Sequence, residues 1–255
     1  MPTQKSIPMD SQDGSQSEKG AYFLSDLHLF SNRSIGDRYR EELFAKTAQA
    51  HTLVLGGDIF DFKWSRYGGE KITSDHAVTW LRELIAINPR CQFHFLLGNH
   101  DSNPTFVQRL TELATAERSF CWHRYFVRLG ECLCLHGDVA DGTLRHDALD
   151  ECRRRIEGTH RSHPIWKLAY DVAIGLQLHR LFLRTIRPMK VVARVERYAQ
   201  QINQASDAGV TDVYFGHTHR PIDGLEYAEL RFHNGGAAIK GLSFEILDMN
   251  LNETE

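Results

Sequence analysis

Ala21-Tyr22-Phe23-Leu24-Ser25-Asp26-Leu27-His28 sets a short apolar run directly against an Asp-x-His pair. Such a run is the length of a buried strand and too short for a buried helix. The same grammar returns twice downstream. Thr52-Leu53-Val54-Leu55 leads into Gly57-Asp58-Ile59-Phe60-Asp61, and Gln92-Phe93-His94-Phe95-Leu96-Leu97 leads into Gly98-Asn99-His100-Asp101. Helical patterns over residues 38–50 and 75–87 separate the three runs, giving the βαβαβ order of a parallel sheet. Asn103-Pro104 predicts a third helix, with Asn as its N-cap and Pro in its first position. Residues 125–129 and 131–135 predict a hairpin about Gly130, and Val213-Tyr214-Phe215, Leu230-Arg231-Phe232 and residues 242–247 predict further strands. The body is therefore mixed α/β, in two sheets or one large mixed sheet, without an internal repeat.

Open α/β sheets bind ligands beyond the C-terminal ends of their strands, which is where all three polar clusters fall. His136-Gly137-Asp138 and Gly216-His217-Thr218-His219-Arg220-Pro221 take the same position after later strands. Five clusters are thus placed to converge on one edge. Asp-x-His and His-x-His put two side chains on one side of an extended segment, a spacing that suits one cation or two adjacent ones. The glycines before Asp58, Asn99 and His217 predict tight exits from the strands with positive φ.

Composition sets the outer limits. The 255 residues are 42% hydrophobic and 25% charged, enough to bury a substantial core and inconsistent with disorder as the dominant state. A net charge of −3 excludes a uniformly basic nucleic-acid coat. Five cysteines lack CxxC spacing, and Cys132 and Cys134 share one face of a strand, which reads as buried free thiols in a reducing cytoplasm. Residues 1–20 are polar and aperiodic, the pattern of a disordered leader, and no run approaches a membrane span. The 14 histidines are the unusual count, because clustered histidines are what metal sites use.

Taken in order, the D-x-H of Asp26 and His28, the G-D-x-x-D of residues 57–61, the G-N-H-D of residues 98–101, His136, and the G-H-x-H of residues 216–219 resemble the five blocks of the calcineurin-like metallophosphoesterases. The resemblance implies a four-layer αββα sandwich over residues 21–250 with two divalent metal ions. Position by position it makes Asp26, His28 and His219 ligands of one ion and Asn99, His136 and His217 ligands of the other. Asp58 bridges them. It further implies that a bridging hydroxide attacks a phosphodiester or pyrophosphate, that His100 faces the phosphate without ligating, and that Asp101 orients the His100 ring. Asp61 and Asp138 are expected to hold ligand histidines from behind. Oxygen and nitrogen donors without thiolate favour Mn²⁺, with Fe, Zn and Mg as alternatives. His94, inside a strand, and His51, His76, His123, His146, His160, His163 and His179, outside any motif, read as surface or core residues. His233-Asn234-Gly235-Gly236 is a candidate for the pocket wall.

The intervals between blocks, 32, 41, 37 and 81 residues, are similar to those of the bacterial UDP-2,3-diacylglucosamine pyrophosphatases. In that group the long interval is a helical cap that binds acyl chains and leans on the membrane, and residues 139–206 have matching character. Residues 153–197 carry eleven Lys and Arg against three acidic residues around an apolar helical pattern. Such a segment suits a lipid-linked substrate and an anionic membrane surface, and equally suits a hairpin closing its own core or a dimer contact. One departure stands out, because that group usually carries Arg where this chain has His100. A soluble nucleotide or nucleic-acid phosphoester is the second expectation, and a non-catalytic scaffold the third. Nucleic acid is disfavoured, since few aromatics interleave the basic residues.

Overall fold

Strand β1 (Gly20–Leu24) shows how the layers arise. Tyr22 and Leu24 enter one apolar cluster while Ala21 and Phe23 enter another, as the two-residue period of a strand requires. A strand buried on both faces has no polar side, which is why it reads as an unbroken apolar run. The computed structural model describes residues 20–142, 145–158 and 185–251. Residues 1–19 of the expected leader and residues 159–184 of the expected cap lie outside these, as does the apolar pattern within the cap.

Beside β1 run β2 (Ala50–Leu55), β3 (Gln92–Leu96) and β4 (Phe120–His123), all parallel, and β10 (Leu247–Met249) closes the other edge antiparallel in the order β10-β1-β2-β3-β4. The second sheet contains β5 (Phe126–Leu129), β6 (Cys132–Leu135), β7 (Asp212–Phe215), β8 (Ile222–Tyr227) and β9 (Leu230–Asn234) in the order β5-β6-β7-β9-β8. Strands β6, β7 and β9 are parallel. Between the sheets lie Ala21, Phe23, Val54 and Leu96 from the first and Val127, Cys132, Cys134 and Tyr214 from the second. The expected hairpin about Gly130 and the burial of Cys132 and Cys134 are both observed. Cys152, by contrast, is exposed.

Helices cover the outer faces. α1 (Arg40–Gln49), α2 (Glu70–Ile87) and α3 (Pro104–Ala116) pack Leu43, Leu81, Leu84, Phe106 and Leu110 against Leu53, Phe93 and Phe95 of the first sheet. α3 starts where its sequence predicts, with Asn103 Oδ1 accepting from the backbone N–H of Thr105 at 2.9 Å and Pro104 following the cap. On the second sheet, α5 (Pro188–Gln201) buries Val191, Val192, Val195 and Tyr198, joined by Leu149 of α4 (His146–Gly158). The order is helix, sheet, sheet, helix. Both described ends of the expected cap therefore belong to this outer helical layer.

Two elements differ from expectation for physical reasons. α2 begins at Glu70 rather than residue 75, because its first buried positions are Thr73 and Ser74, whose hydroxyls donate to the carbonyls of Gly69 and Glu70 and so hide the apolar period. The last strand is Leu247–Met249 rather than residues 242–247. The preceding residues turn back instead, with Leu242 N–H donating to Ile239 O and Glu245 N–H to Gly235 O.

Candidate metal centre

The loops after β1, β2 and β7 share an unusual backbone. Asp26 (φ 54°), His28 (φ 47°), Asp58 (φ 52°), His217 (φ 65°) and His219 (φ 54°) all lie in the left-handed region. A non-glycine residue there costs on the order of 1 kcal/mol or more and persists only where its surroundings over-determine it. The surroundings do so here. Asp26 N–H donates to Gly57 O at 3.0 Å, His28 N–H to Asp58 O at 2.9 Å, and His217 N–H to the Asp26 carboxylate at 2.9 Å. Of the three glycines expected to carry positive φ, Gly57 does (φ 86°). Gly98 and Gly216 serve differently: a Cβ on the first collides with the Asp58 carboxylate and on the second with that of Asp26. Bare backbone lets two carboxylates pack edge-on to the loops.

Two clusters of donor atoms result. In the first, His28 Nε2 lies 3.1 Å from His219 Nε2, and Asp26 Oδ1 lies 3.3 Å from His219 Nε2 and 3.8 Å from His28 Nε2. In the second, Asn99 Oδ1 lies 3.0 Å from His136 Nε2 and 2.9 Å from His217 Nδ1. Asp58 stands between them, Oδ2 at 3.8 Å from His28 Nε2 and Oδ1 at 3.5 Å from His136 Nε2. Asp26 Oδ1 is sealed from solvent and makes no well-formed hydrogen bond among the described residues, the His219 ring lying 3.3 Å away. A buried carboxylate oxygen without a donor is costly, and imidazoles, a carboxamide and carboxylates pointed inward together are the donor set of divalent transition metals. The residues fit two cations.

The family model for calcineurin-like phosphoesterases matches residues 21–221. The chain belongs to the calcineurin-like phosphoesterases. Comparison with curated proteins gave no match. The family hydrolyses phosphoesters with bound metal ions, and the helix–sheet–sheet–helix layering and the paired clusters of this calcineurin-like phosphoesterase agree with that.

Behind the donors of this calcineurin-like phosphoesterase stands a second set of contacts. His136 Nδ1 lies 3.1 Å from Gly56 O, an acceptor that fixes the proton on Nδ1 and turns the Nε2 lone pair towards Asp58 and Asn99. Asp61 is shared: Oδ1 is 2.9 Å from His100 Nδ1, while Oδ2 accepts from Arg33 at 2.9 Å and lies 3.6 Å from His28 Nδ1. Burial and Arg33 push His28 down to about 3, so its ring is neutral, as a ligand must be. Burial pulls His217 down, yet the hydrogen bond and charge of Asp141 outweigh it and raise the ring to about 9. The acidic surroundings favour positive charge at that position.

Three expectations change at this level. Asp101 does not touch the His100 ring; its carboxylate accepts from the backbone N–H of Gly98 at 2.7 Å and Ile59 at 2.9 Å, tying two metal-centre loops together. Burial and the neighbouring Asp58 charge raise it to about 7. Asp61 orients His100 instead, because it sits on the loop facing the ring. Asp138 does not hold a histidine: Arg153 reaches it through two hydrogen bonds of 2.8 and 3.1 Å. The carboxylate on His217 is Asp141, whose Oδ2 lies 3.0 Å from Nε2. His233 turns away to Asp212 at 2.9 Å, and its neighbour Asn234 braces the Gly216–His219 loop by donating to Gly216 O at 2.9 Å. Arg33 and Asp141 carry no motif, and only their place near the five clusters marks them, whereas Asn234, at the end of β9, belongs to the stretch the sequence offered as pocket wall and serves as a brace instead.

Proposed function

We propose that this chain is a two-metal hydrolase of phosphodiesters or diphosphates, in which Asp26, His28 and His219 hold one ion and Asn99, His136 and His217 the other. The observation that carries the proposal is Asp58, whose two carboxylate oxygens face opposite clusters. Ions held there would supply charge neutralisation of the phosphoryl group and an activated water; the mixed imidazole and carboxylate set suits Mn²⁺, Fe or Zn.

The chain's own groups prepare the rest. His100 N–H donates to Asp58 Oδ1 at 2.7 Å, which fixes the bridging carboxylate and places the His100 ring beside it. With Nδ1 committed to Asp61, Nε2 is the atom left to meet a phosphoryl or leaving-group oxygen, and 15% of the side chain is exposed for that purpose. His100 then stabilises charge or delivers a proton to the departing oxygen, a contribution of roughly 10²–10⁴-fold. Asp61 is the positioning residue behind it. The expected lipid-linked substrate rests on the block intervals and on residues 153–197, of which 159–184 lie outside the described residues, and among the described residues no helix is long and apolar enough to cross a membrane.

Bis-p-nitrophenyl phosphate supplemented with Mn²⁺ tests the reading. The chain should turn it over, chelation should stop turnover, and restored Mn²⁺ should restart it. Undiminished hydrolysis after exhaustive chelation overturns the proposal.

A further inference from the structure

The edge of the first sheet carries a second set of donors, independent of the strand-end loops. β3 and β4 pair in parallel with His94 opposite Cys121 and Leu96 opposite His123. His94 also pairs with Val54 across β2, and Val54 and Leu96 both face the layer between the sheets. Strand parity therefore puts His94, Cys121 and His123 on that same face, while Trp122 packs into the helical side. At the margin of the layer, where β4 has no further strand beside it among the described residues, all three side chains are half-buried.

Their donor atoms close a triangle. His94 Nδ1 is 3.1 Å from His123 Nε2, Cys121 Sγ is 3.2 Å from His94 Nδ1, and Cys121 Sγ is 3.5 Å from His123 Nε2. Zinc bonds nitrogen at about 2.0–2.1 Å and sulfur at about 2.3 Å in tetrahedral geometry. Those bond lengths require nitrogens about 3.3 Å apart and sulfur about 3.6 Å from each nitrogen, an estimate from the same tetrahedral geometry. The observed edges lie within a few tenths of an ångström of these values. The rings are near parallel, 18° between planes, with 5.3 Å between centroids, and they are held by strands rather than loops.

We propose that His94, Cys121 and His123 form a binding site for a single thiophilic divalent cation of the zinc class, with solvent as the fourth ligand, clamping edge strand β4 to β3. Binding exchanges the Cys121 Sγ–H bond for an Sγ–metal bond and releases one proton to solvent, while both imidazoles bind as neutral donors. Burial, with the nearby His123 second, holds His94 down at about 4, and burial also lowers His123, so both rings are neutral around pH 7. Burial raises the Cys121 thiol, so the ion must displace its proton and affinity should rise with pH. The thiolate separates this site from the strand-end centre in its choice of metal: sulfur favours zinc-class ions over Mn²⁺ and Mg²⁺.

Titration with Co²⁺ reads the two sites apart, because only a thiolate ligand gives a sulfur-to-cobalt charge-transfer band and the strand-end donors contain no sulfur. The full chain should develop that band, with a final amplitude corresponding to one thiolate-bound Co²⁺ per molecule however many Co²⁺ the strand-end centre takes up. Cys121→Ser should abolish it, Cys152→Ser and Asp58→Asn should leave it, and His94→Ala or His123→Gln should weaken cobalt affinity at least tenfold. A second measurement needs no variant: Zn²⁺ should slow alkylation of Cys121 by iodoacetamide, followed by peptide mass mapping. Absence of the band in folded protein, its persistence in Cys121→Ser, or equal alkylation rates with and without Zn²⁺ each overturn the proposal.

Discussion

The strand-end centre and the β3–β4 triad are built by opposite means. At the strand ends, five candidate donor residues sit in left-handed backbone, and their positions depend on hydrogen bonds between loops far apart in the chain. At the β3–β4 edge the donors sit on two paired strands, and ordinary register alone brings them together. The first arrangement can place seven side chains around two points, at the cost of strain that the whole fold must hold. The second needs only a neighbour and a period of two. What differs is how many distant parts must be correct before the donors meet.

The comparison breaks most visibly at Asp58. Asp58→Asn should lower hydrolysis of bis-p-nitrophenyl phosphate by roughly 10³-fold or more, because removing the shared ligand forfeits several kcal/mol of charge stabilisation, while circular dichroism stays native. Nearly full activity in that variant is incompatible with a shared ligand there. His100→Ala should cost less, about 10²-fold, the lower end of what a general acid contributes, and plasma-emission analysis should find its metal content unchanged. Loss of an ion from that variant would make His100 a ligand.

Support behind the centre can be tested separately. Arg153→Met leaves the Asp138 carboxylate buried without its partner and should destabilise the chain by about 3–5 kcal/mol in urea unfolding. The same pair predicts the sign of a pH effect. Burial alone raises Asp138, but the Arg153 charge and hydrogen bonds outweigh it and hold the carboxyl below its usual range. A depressed native pKa stabilises the fold above the unfolded value of about 3.9 and loses that stabilisation as pH falls through the native value. Acid unfolding followed by tryptophan fluorescence should therefore be less steep in Asp138→Asn than in the parent chain. The smallest effect belongs to His233, which faces Asp212 rather than the donors. His233→Ala should change stability by about 1 kcal/mol, the worth of one hydrogen bond to an aspartate that keeps its other partners, and leave kcat/KM intact, and a large kinetic loss would put it back in the pocket wall.

The two regions were also unequally legible. The candidate donors could be singled out from sequence because Asp26-x-His28 and His217-x-His219 keep fixed local spacing and follow apolar strands. The β3–β4 triad escaped the same eye. Its members come from two strands separated by a helix, and β4 is four residues long with no alternation strong enough to announce it. His94 and His123 consequently read as ordinary residues until register joined them. Charge counting failed in a related way: Arg153 counts towards a basic face in the sequence, yet it is buried against Asp138 and the Arg124 carbonyl. Asp101 was correctly placed near the centre and given the wrong partner, because adjacency in sequence says nothing about which way a loop side chain turns. The buried strands were the easiest part to foresee, since strands covered on both faces leave an unbroken apolar trace, whereas the order of the layers followed from the family resemblance alone.

The pairing of β1 with β10 joins residues 21–23 to residues 247–249. On a ribosome, then, β1 must wait for β10 before its outer edge is covered. Its two donors wait almost as long, since Asp26 and His28 meet His219 only after some 190 further residues have been made. An elongating chain thus carries half a binding site and an open strand edge for much of its synthesis, the circumstance in which edge-to-edge association is most damaging. The strand-end donors can meet only after His219 has been made, whereas β3 and β4 can meet while the second sheet is still unmade.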